Sequence, residues 1–222
     1  MLRILFAAVT ALTLCAPAAL ACDGQTGNVI FEDKFTDDSG AWKFSGALIL
    51  TAPGATAKVR ASENGATQTS LNHTFNATQG DFCMEMSYPP DAAQLNAGIG
   101  VLFWATDSTN YWSANAYANG SVKLVKLAYK RLSPFAETPN WSHIFETTTN
   151  NLVKTGPTDV NSVRVVVKNG TITVMVNGQT VKSVRAQMPG GDLKFGFVAD
   201  YDKSSATPVL FPVRSYKVTA VE

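Results

Sequence analysis

Two Asn-Gly pairs stand eight residues apart in VRVVVKNGTITVMVNGQTV, the run from Val163 to Val181, and this spacing obliges the chain to reverse twice in quick succession. Asn-Gly supplies both positive-φ positions of a type I′ turn, whose twist suits antiparallel strands on either side. With Asn169-Gly170 as the first turn, Val167 faces Ile172, Val165 faces Val174 and Val163 faces Val176. The alternate positions carry Arg164, Lys168, Thr171 and Thr173, so one face of the ribbon is apolar and the other mostly polar, as in a sheet packed on one side only. The second turn, Asn177-Gly178, sets Val176 opposite Gln179 and predicts a short or frayed third strand.

The same grammar recurs in AGIGVLFWATDSTNYWSANAYANGSVKLVKLAYK, where DSTN and then Asn119-Gly120 separate three strand-like runs. If Trp104 opposes Tyr111, then Phe103 faces Trp112, Val101 faces Ala114 and Ile99 faces Ala116. A two-residue Asn119-Gly120 turn then adds Leu127 beside Trp112 and Val125 beside Ala114, completing a core face. The opposite face holds Gly98, Gly100, Leu102, Trp104, Tyr111, Ser113, Asn115, Tyr117 and Lys126. Its glycines remove side chains where something can approach closely, and its rings offer flat apolar area beside hydrogen-bonding groups. Trp104, Tyr111, Ser113, Asn115, Tyr117 and Lys126 are therefore the candidate ligand-binding residues. A slip of one residue exchanges the two faces, so this reading rests on the turns.

DFCMEMSY and LKFGFVADY alternate in the same way, and no long segment shows helical periodicity. The expected architecture is all-β, a two-sheet antiparallel β-sandwich in one domain over residues 22–222. Residues 131–159, with prolines and polar clusters, read as long loops containing one or two strands; Trp141 in this region would overhang the ligand face. Trp42, Phe103 and Trp112 read as core.

MLRILFAAVTALTLCAPAALA reads as a secretory signal peptide, residues 1–21, with small residues at Ala19 and Ala21. No later run is apolar and long enough to span a bilayer. Removing Arg3 leaves 17 basic against 17 acidic residues, which gives no electrostatic reason to expect nucleic acid as partner. Cys15 leaves with the leader, so Cys22 and Cys83 form an even pair in a periplasmic or secreted chain, and a disulfide between them is the favoured reading. The rival is lipid attachment at Cys22, because Ala19-Leu20-Ala21-Cys22 looks like a lipobox; it would strand Cys83 as a free thiol.

The order VIFEDKFTDDSGAW, the GVLFWATDSTNYWSANAYANGSVKLVK block, NSVRVVVKNGTITVMVNGQTV, GDLKFGFVAD and FPVRSYKV resembles the concanavalin A-like lectin/glucanase superfamily, especially its laminin-G-like and 3-keto-disaccharide hydrolase-type domains of secreted bacterial proteins. The resemblance spans nearly the whole mature chain. It implies a jelly-roll sandwich and a carbohydrate or cell-envelope glycan as ligand, on the concave face. The Glu-x-Asp-x-x-Glu strand of the glucanase branch is missing, and Cys83 stands between Asp81 and Glu85 where an acid would be needed.

Glycoside hydrolysis needs two carboxyl groups flanking the scissile bond. Asp81 and Glu85 lie roughly 13 Å apart along a strand, too far for that, whereas Asp200 and Asp202 at roughly 6.7 Å fit an inverting pair. Glu85, Asp200 and Asp202 are thus the candidate carboxylates, though solvated loop acids show the same spacing. Neither His73 nor His143 has zinc-ligand spacing, and calcium at loop oxygens near Asp37 and Asp38 is the metal the sequence leaves open. Three functions compete: a carbohydrate-binding module, a glycoside hydrolase or related carbohydrate-active enzyme, and an envelope domain that contacts a protein partner. Binding ranks first, because only the aromatic face carries a positive argument.

Overall fold

The computed structural model describes residues 21–43, 47–51, 53–133, 136–149, 151–156 and 158–221; the leader reading, with Cys15, falls almost entirely outside them. Fourteen strands are described in chain order: β1 (Val29–Asp33), β2 (Leu48–Leu50), β3 (Ala55–Val59), β4 (Ala66–Leu71), β5 (Gly80–Met86), β6 (Gly98–Asp107) and β7 (Asn110–Tyr117), then β8 (Ser121–Ser133), β9 (Ala136–Thr148), β10 (Asn161–Lys168), β11 (Thr171–Val176), β12 (Gln179–Arg185), β13 (Lys194–Tyr201) and β14 (Val209–Thr219). They form two antiparallel sheets, β12-β11-β10-β5-β14-β3-β2 with β1 beside β14, and β4-β13-β6-β7-β8-β9.

The apolar alternation of the strands builds the layer between these sheets. Val163 pairs with Val176, Val165 with Val174 and Val167 with Ile172, all fully buried. Both turns in that segment have positive φ at Asn and at Gly, Asn169 with Gly170 and Asn177 with Gly178, as a type I′ turn demands. The third strand, β12, runs seven residues and is largely exposed beyond a register shift at Val174/Met175. Across the sandwich, Phe82 of β5 meets Phe103 of β6 and Phe195 of β13 at ring separations of 6.3 and 5.8 Å.

Three expectations need correction. Much of the supposed loop region 131–159 is strand, since β8 and β9 form one long hairpin. The Asn119-Gly120 reversal is not a two-residue turn: Gly120 has positive φ and Asn119 does not, and Ala116 pairs with Val122. The loop is therefore longer by one residue, which shifts β8 so that Trp112 faces Lys126 and Ala114 faces Leu124. Trp104 does not oppose Tyr111 in a regular ladder; between the pairs Phe103/Trp112 and Asp107/Asn110, Tyr111 alone lies opposite three residues of β6. At this bulge Trp104 adopts φ 49° and turns inward, 1% exposed, donating from Nε1 to the Thr78 carbonyl at 2.7 Å and meeting Trp112 edge-on at 5.6 Å.

The outer face of β5 is closed by the N-terminal segment. Cys22 and Cys83 form the expected disulfide, with Cα atoms 5.7 Å apart. Gln25 donates to the Asp81 carbonyl at 2.5 Å, and Arg164 forms a two-point ion pair with the Asp81 carboxylate.

The sheets also rest on close backbone approach at two glycines. A Cβ at Gly100 would lie 1.9 Å from the Ala114 carbonyl oxygen, and one at Gly196 would lie 2.0 Å from that of Ser70. Gly100→Ala should lower the unfolding free energy by at least ~3 kcal/mol, the upper end of overpacking penalties, because backbone is what must move. Gly190→Ala, with no atom near its Cβ position, should change it little. Denaturant unfolding of the two variants checks the contrast; equal stabilities would refute the close-approach account.

Candidate functional site

On the side of the six-stranded sheet away from the core, Tyr111, Ser113, Asn115 and Tyr117 of β7 line a cleft of about 400 Å³. Strand alternation puts them there, because Trp112, Ala114 and Ala116 between them belong to the core. Neighbouring strands contribute Val198 and Asp200 of β13, Lys123 and Val125 of β8, and Trp141 and His143 of β9, while residues 64–67 form one rim.

Asp200 is the electrostatic centre. The Tyr117 hydroxyl donates to its Oδ2 at 2.8 Å. Burial raises the Asp200 carboxyl to about 6, with Asp202 adding to the rise; Tyr117, Lys123 and Asn115 pull the other way. Burial and the neighbouring Asp200 raise Tyr117 and Tyr111 well above the usual phenol range. Lys123 Nζ stands 4.5 Å from the centroid of the Tyr117 ring and pairs with Glu146 at 3.2 Å. At the rim Asp202 is exposed and accepts from Asn96, which in turn accepts from Asn119 at 2.5 Å.

Four oxygens on this surface are out of contact with solvent and have no hydrogen-bond partner: Tyr111 Oη, Ser113 Oγ, Asn115 Oδ1 and Asp200 Oδ1. Unpaired buried oxygens each cost on the order of 1–3 kcal/mol, so their concentration around one cleft is not what packing alone selects. Beside them Trp141 remains 42% exposed, its ring edge-on to Tyr111 at 6.3 Å.

Of the six candidate binding residues, Tyr111, Ser113, Asn115 and Tyr117 come together here. Trp104 and Lys126 do not: the first is turned into the core by its bulge, and the second shares the parity of Trp112, exposed with Nζ 5.8 Å from that ring. Lys123 takes the place expected of Lys126, a residue that correct loop length would have identified. The glycines of the face admit the chain itself rather than a visitor, since a Cβ at Gly98 would strike the Tyr117 ring at 2.6 Å. Of the candidate carboxylates, Asp200 and Asp202 line the cleft, whereas Glu85 lies on the larger sheet, 3% exposed, accepting from Ser215 Oγ at 2.9 Å. Among the described residues no three His, Cys, Asp or Glu side chains come together to hold a metal; Asp38 accepts from its own turn at Gly40.

Solved structures share this architecture. The fold is a two-sheet antiparallel jelly roll. A carbohydrate-binding module, CBM66 from Bacillus subtilis, superposes with a TM-score of 0.58 at 13% identity, covering 81% of this chain and 96% of the module. The catalytic domain of an endo-1,3-beta-glucanase (laminarinase) from Thermotoga petrophila gives 0.58 at 8% identity over 89% of this chain and 99% of that domain. A beta-glucanase from Bacillus licheniformis gives 0.58 at 13% identity over 89% and 100%. No protein family matches the sequence, and no curated protein does. On this jelly roll the cleft lies on the smaller sheet.

The raised Asp200 carboxyl has a consequence for stability. Between the ordinary value of 3.8 and about 6 this carboxyl binds more protons in the folded chain than in the unfolded one, so its contribution to stability falls as pH rises through that window. Asp200→Asn should remove this slope and make the chain more stable than the parent at pH 7.5 by on the order of 1–3 kcal/mol. Urea midpoints of both chains at pH 4.5 and 7.5 test this; a parent-minus-variant difference that is the same at the two pH values would refute it.

Proposed function

We propose that this chain is an exported carbohydrate-binding protein that takes a neutral saccharide in the Asp200 cleft. The observation that carries the reading is the cleft itself, which sets the exposed Trp141 ring beside a polar lining of Asn115, Tyr117, Lys123 and Asp200. Trp141 offers an exposed ring for the apolar face of a sugar, with Tyr111 bracing it. The carboxylates Asp200 and Asp202 and the prior engagement of Lys123 with Glu146 disfavour uronate or sulfated chains. The jelly roll shared with a carbohydrate-binding module and with glucanases supports the same class of ligand. The Cys22–Cys83 bond suits an oxidising compartment, in line with the leader reading.

Neutral soluble oligosaccharides should quench tryptophan fluorescence and raise the melting temperature, and uronate or sulfated counterparts should not. Trp141→Ala should weaken binding about tenfold or more, the loss of ~1.4 kcal/mol of ring contact. Glu85→Gln, on the other sheet, should leave affinity unchanged. A chain that responds to no neutral glycan, or a Trp141→Ala variant that binds like the parent, would sink the proposal.

A second reading is favoured by the protonation of Asp200 near pH 6 with Asp202 two residues away, a combination that fits a general acid and a second carboxylate in an inverting glycoside hydrolase. In that case Asp200→Asn abolishes reducing-sugar release while glycan binding persists. Binding without release from the parent chain would exclude the enzyme.

A further inference from the structure

Glu85 is buried on the outer face of the larger sheet with half of its carboxylate unmet. Oε2 accepts from Ser215, but Oε1 has no partner, and no Lys or Arg of the described residues forms an ion pair with Glu85. Glu85 lines a cavity of about 620 Å³ whose walls include Cys22, Ser215 and the charged groups Glu32, Lys34, Arg214 and Lys217. An unpaired buried carboxylate oxygen is costly, and a chain that keeps one has a cation or donor to place there.

The course of the N-terminal segment over β5 says where that donor comes from. Gln25 lies over Asp81, to which it donates, and Gly24 sits against the Arg164 guanidinium 3.4 Å from its Cβ position. Arg164 pairs in register with Cys83, and Cys22 is bonded to Cys83. Read backwards from Gln25 to Cys22, the segment therefore climbs β5 from Asp81 to Cys83, and the next outward-facing residue in that direction is Glu85, about 6.7 Å further along the strand. Residues Ala21–Gly24 form a single 3-10 turn, whose N–H groups point toward its N-terminal end, so the Cys22 nitrogen faces the Glu85 end of the segment. Leader removal after Ala21, the cleavage expected from the sequence, converts that nitrogen from a peptide N–H into a free ammonium with three donors.

We propose that the mature N-terminus of this protein is Cys22 and that its α-ammonium closes the outer-face cavity by pairing with Glu85 Oε1. Processing then finishes the fold: the uncleaved chain holds an unmet buried carboxylate, and the cleaved chain holds an ion pair tethered by the adjacent disulfide. Acylation of the Cys22 thiol or amine is incompatible with this arrangement.

The test compares the exported mature chain, its N-terminus fixed by intact mass, with a chain retaining Leu20 and Ala21, each with Glu85 and with Glu85→Gln. The α-amine is reductively dimethylated with ¹³C-formaldehyde and a mild borane reductant and titrated by NMR. Pairing should lift its pKa by about one unit above the ordinary ~7.7–8.0, a tenfold gain in proton affinity, and Glu85→Gln or the two-residue extension should return it to that range. Because the folded amine is raised, its contribution to stability is full below ~7.7 and is lost as pH rises through the folded value. The mature chain should therefore outlast the extended one in urea at pH 6.5 and lose that advantage by pH 10. An N-terminus other than Cys22, an acyl mass on Cys22, or an amine that titrates normally in the mature Glu85 chain would each overturn the proposal. Should Glu85→Gln fail to fold, the mature and extended Glu85 chains still decide it.

Discussion

The alternation of β7 is the constraint on which the rest of the structure depends. Apart from its first residue the strand is buried on both sides, so each position must satisfy one of two different environments. Trp112, Ala114 and Ala116 pack toward the larger sheet, and Tyr111, Ser113, Asn115 and Tyr117 line the cleft. A slip of one residue would put Ser113 and Asn115 into an aromatic core and two alanines into the cleft. Its neighbours enforce the register: at Gly100 the Ala114 carbonyl oxygen occupies the space of a side chain, and Gly98 leaves room for the Tyr117 ring.

How far the sequence disclosed this depended on how each turn is made. Asn169-Gly170 and Asn177-Gly178 place both residues in the left-handed region, and the pairings deduced from the first hold residue by residue. Asn119-Gly120 looks the same in one-letter code. There the Asn119 side chain instead accepts from the Ser121 N–H, and Gly120 alone takes positive φ, so the loop is longer and β8 shifts by one. That single residue moved Lys126 out of the site and Lys123 into it. Trp104 failed for another reason: regular alternation carries no signal for a bulge, and an indole with a carbonyl to reach at Thr78 outweighs the strain of φ 49°. The cysteine pair, by contrast, was legible once the leader reading took Cys15 away and left an even number in an oxidising compartment.

β5 is also buried on both faces, but its outer side is settled by covalent and ionic means. Asp81 is held by Arg164, Cys83 by Cys22, and Glu85 by Ser215. Glu85 attracts notice in the sequence as an isolated acid, yet it serves this cover and stands on a different sheet from Asp200. Two carboxylates read as one set of candidates thus belong to opposite surfaces of the sandwich, since strand order, which places β5 and β13 in different sheets, is set by long-range pairing that local pattern does not encode.

The Asp81–Arg164 ion pair and the Asp200 cleft differ in how completely they are satisfied, and this difference carries functional meaning. Around Asp81 every charged contact is made within the chain. Around Asp200 the chain leaves the Tyr111 and Ser113 hydroxyls, the Asn115 carbonyl oxygen and one Asp200 oxygen unpaired while raising the carboxyl toward its neutral form. A sheet chosen for stability alone would replace such groups with apolar side chains of similar size, as the Val-rich pairing of β10 and β11 does on its core side. Retaining them keeps the floor of the cleft polar on a central strand beneath the exposed Trp141 ring, so a ligand meets a surface already organised to receive it.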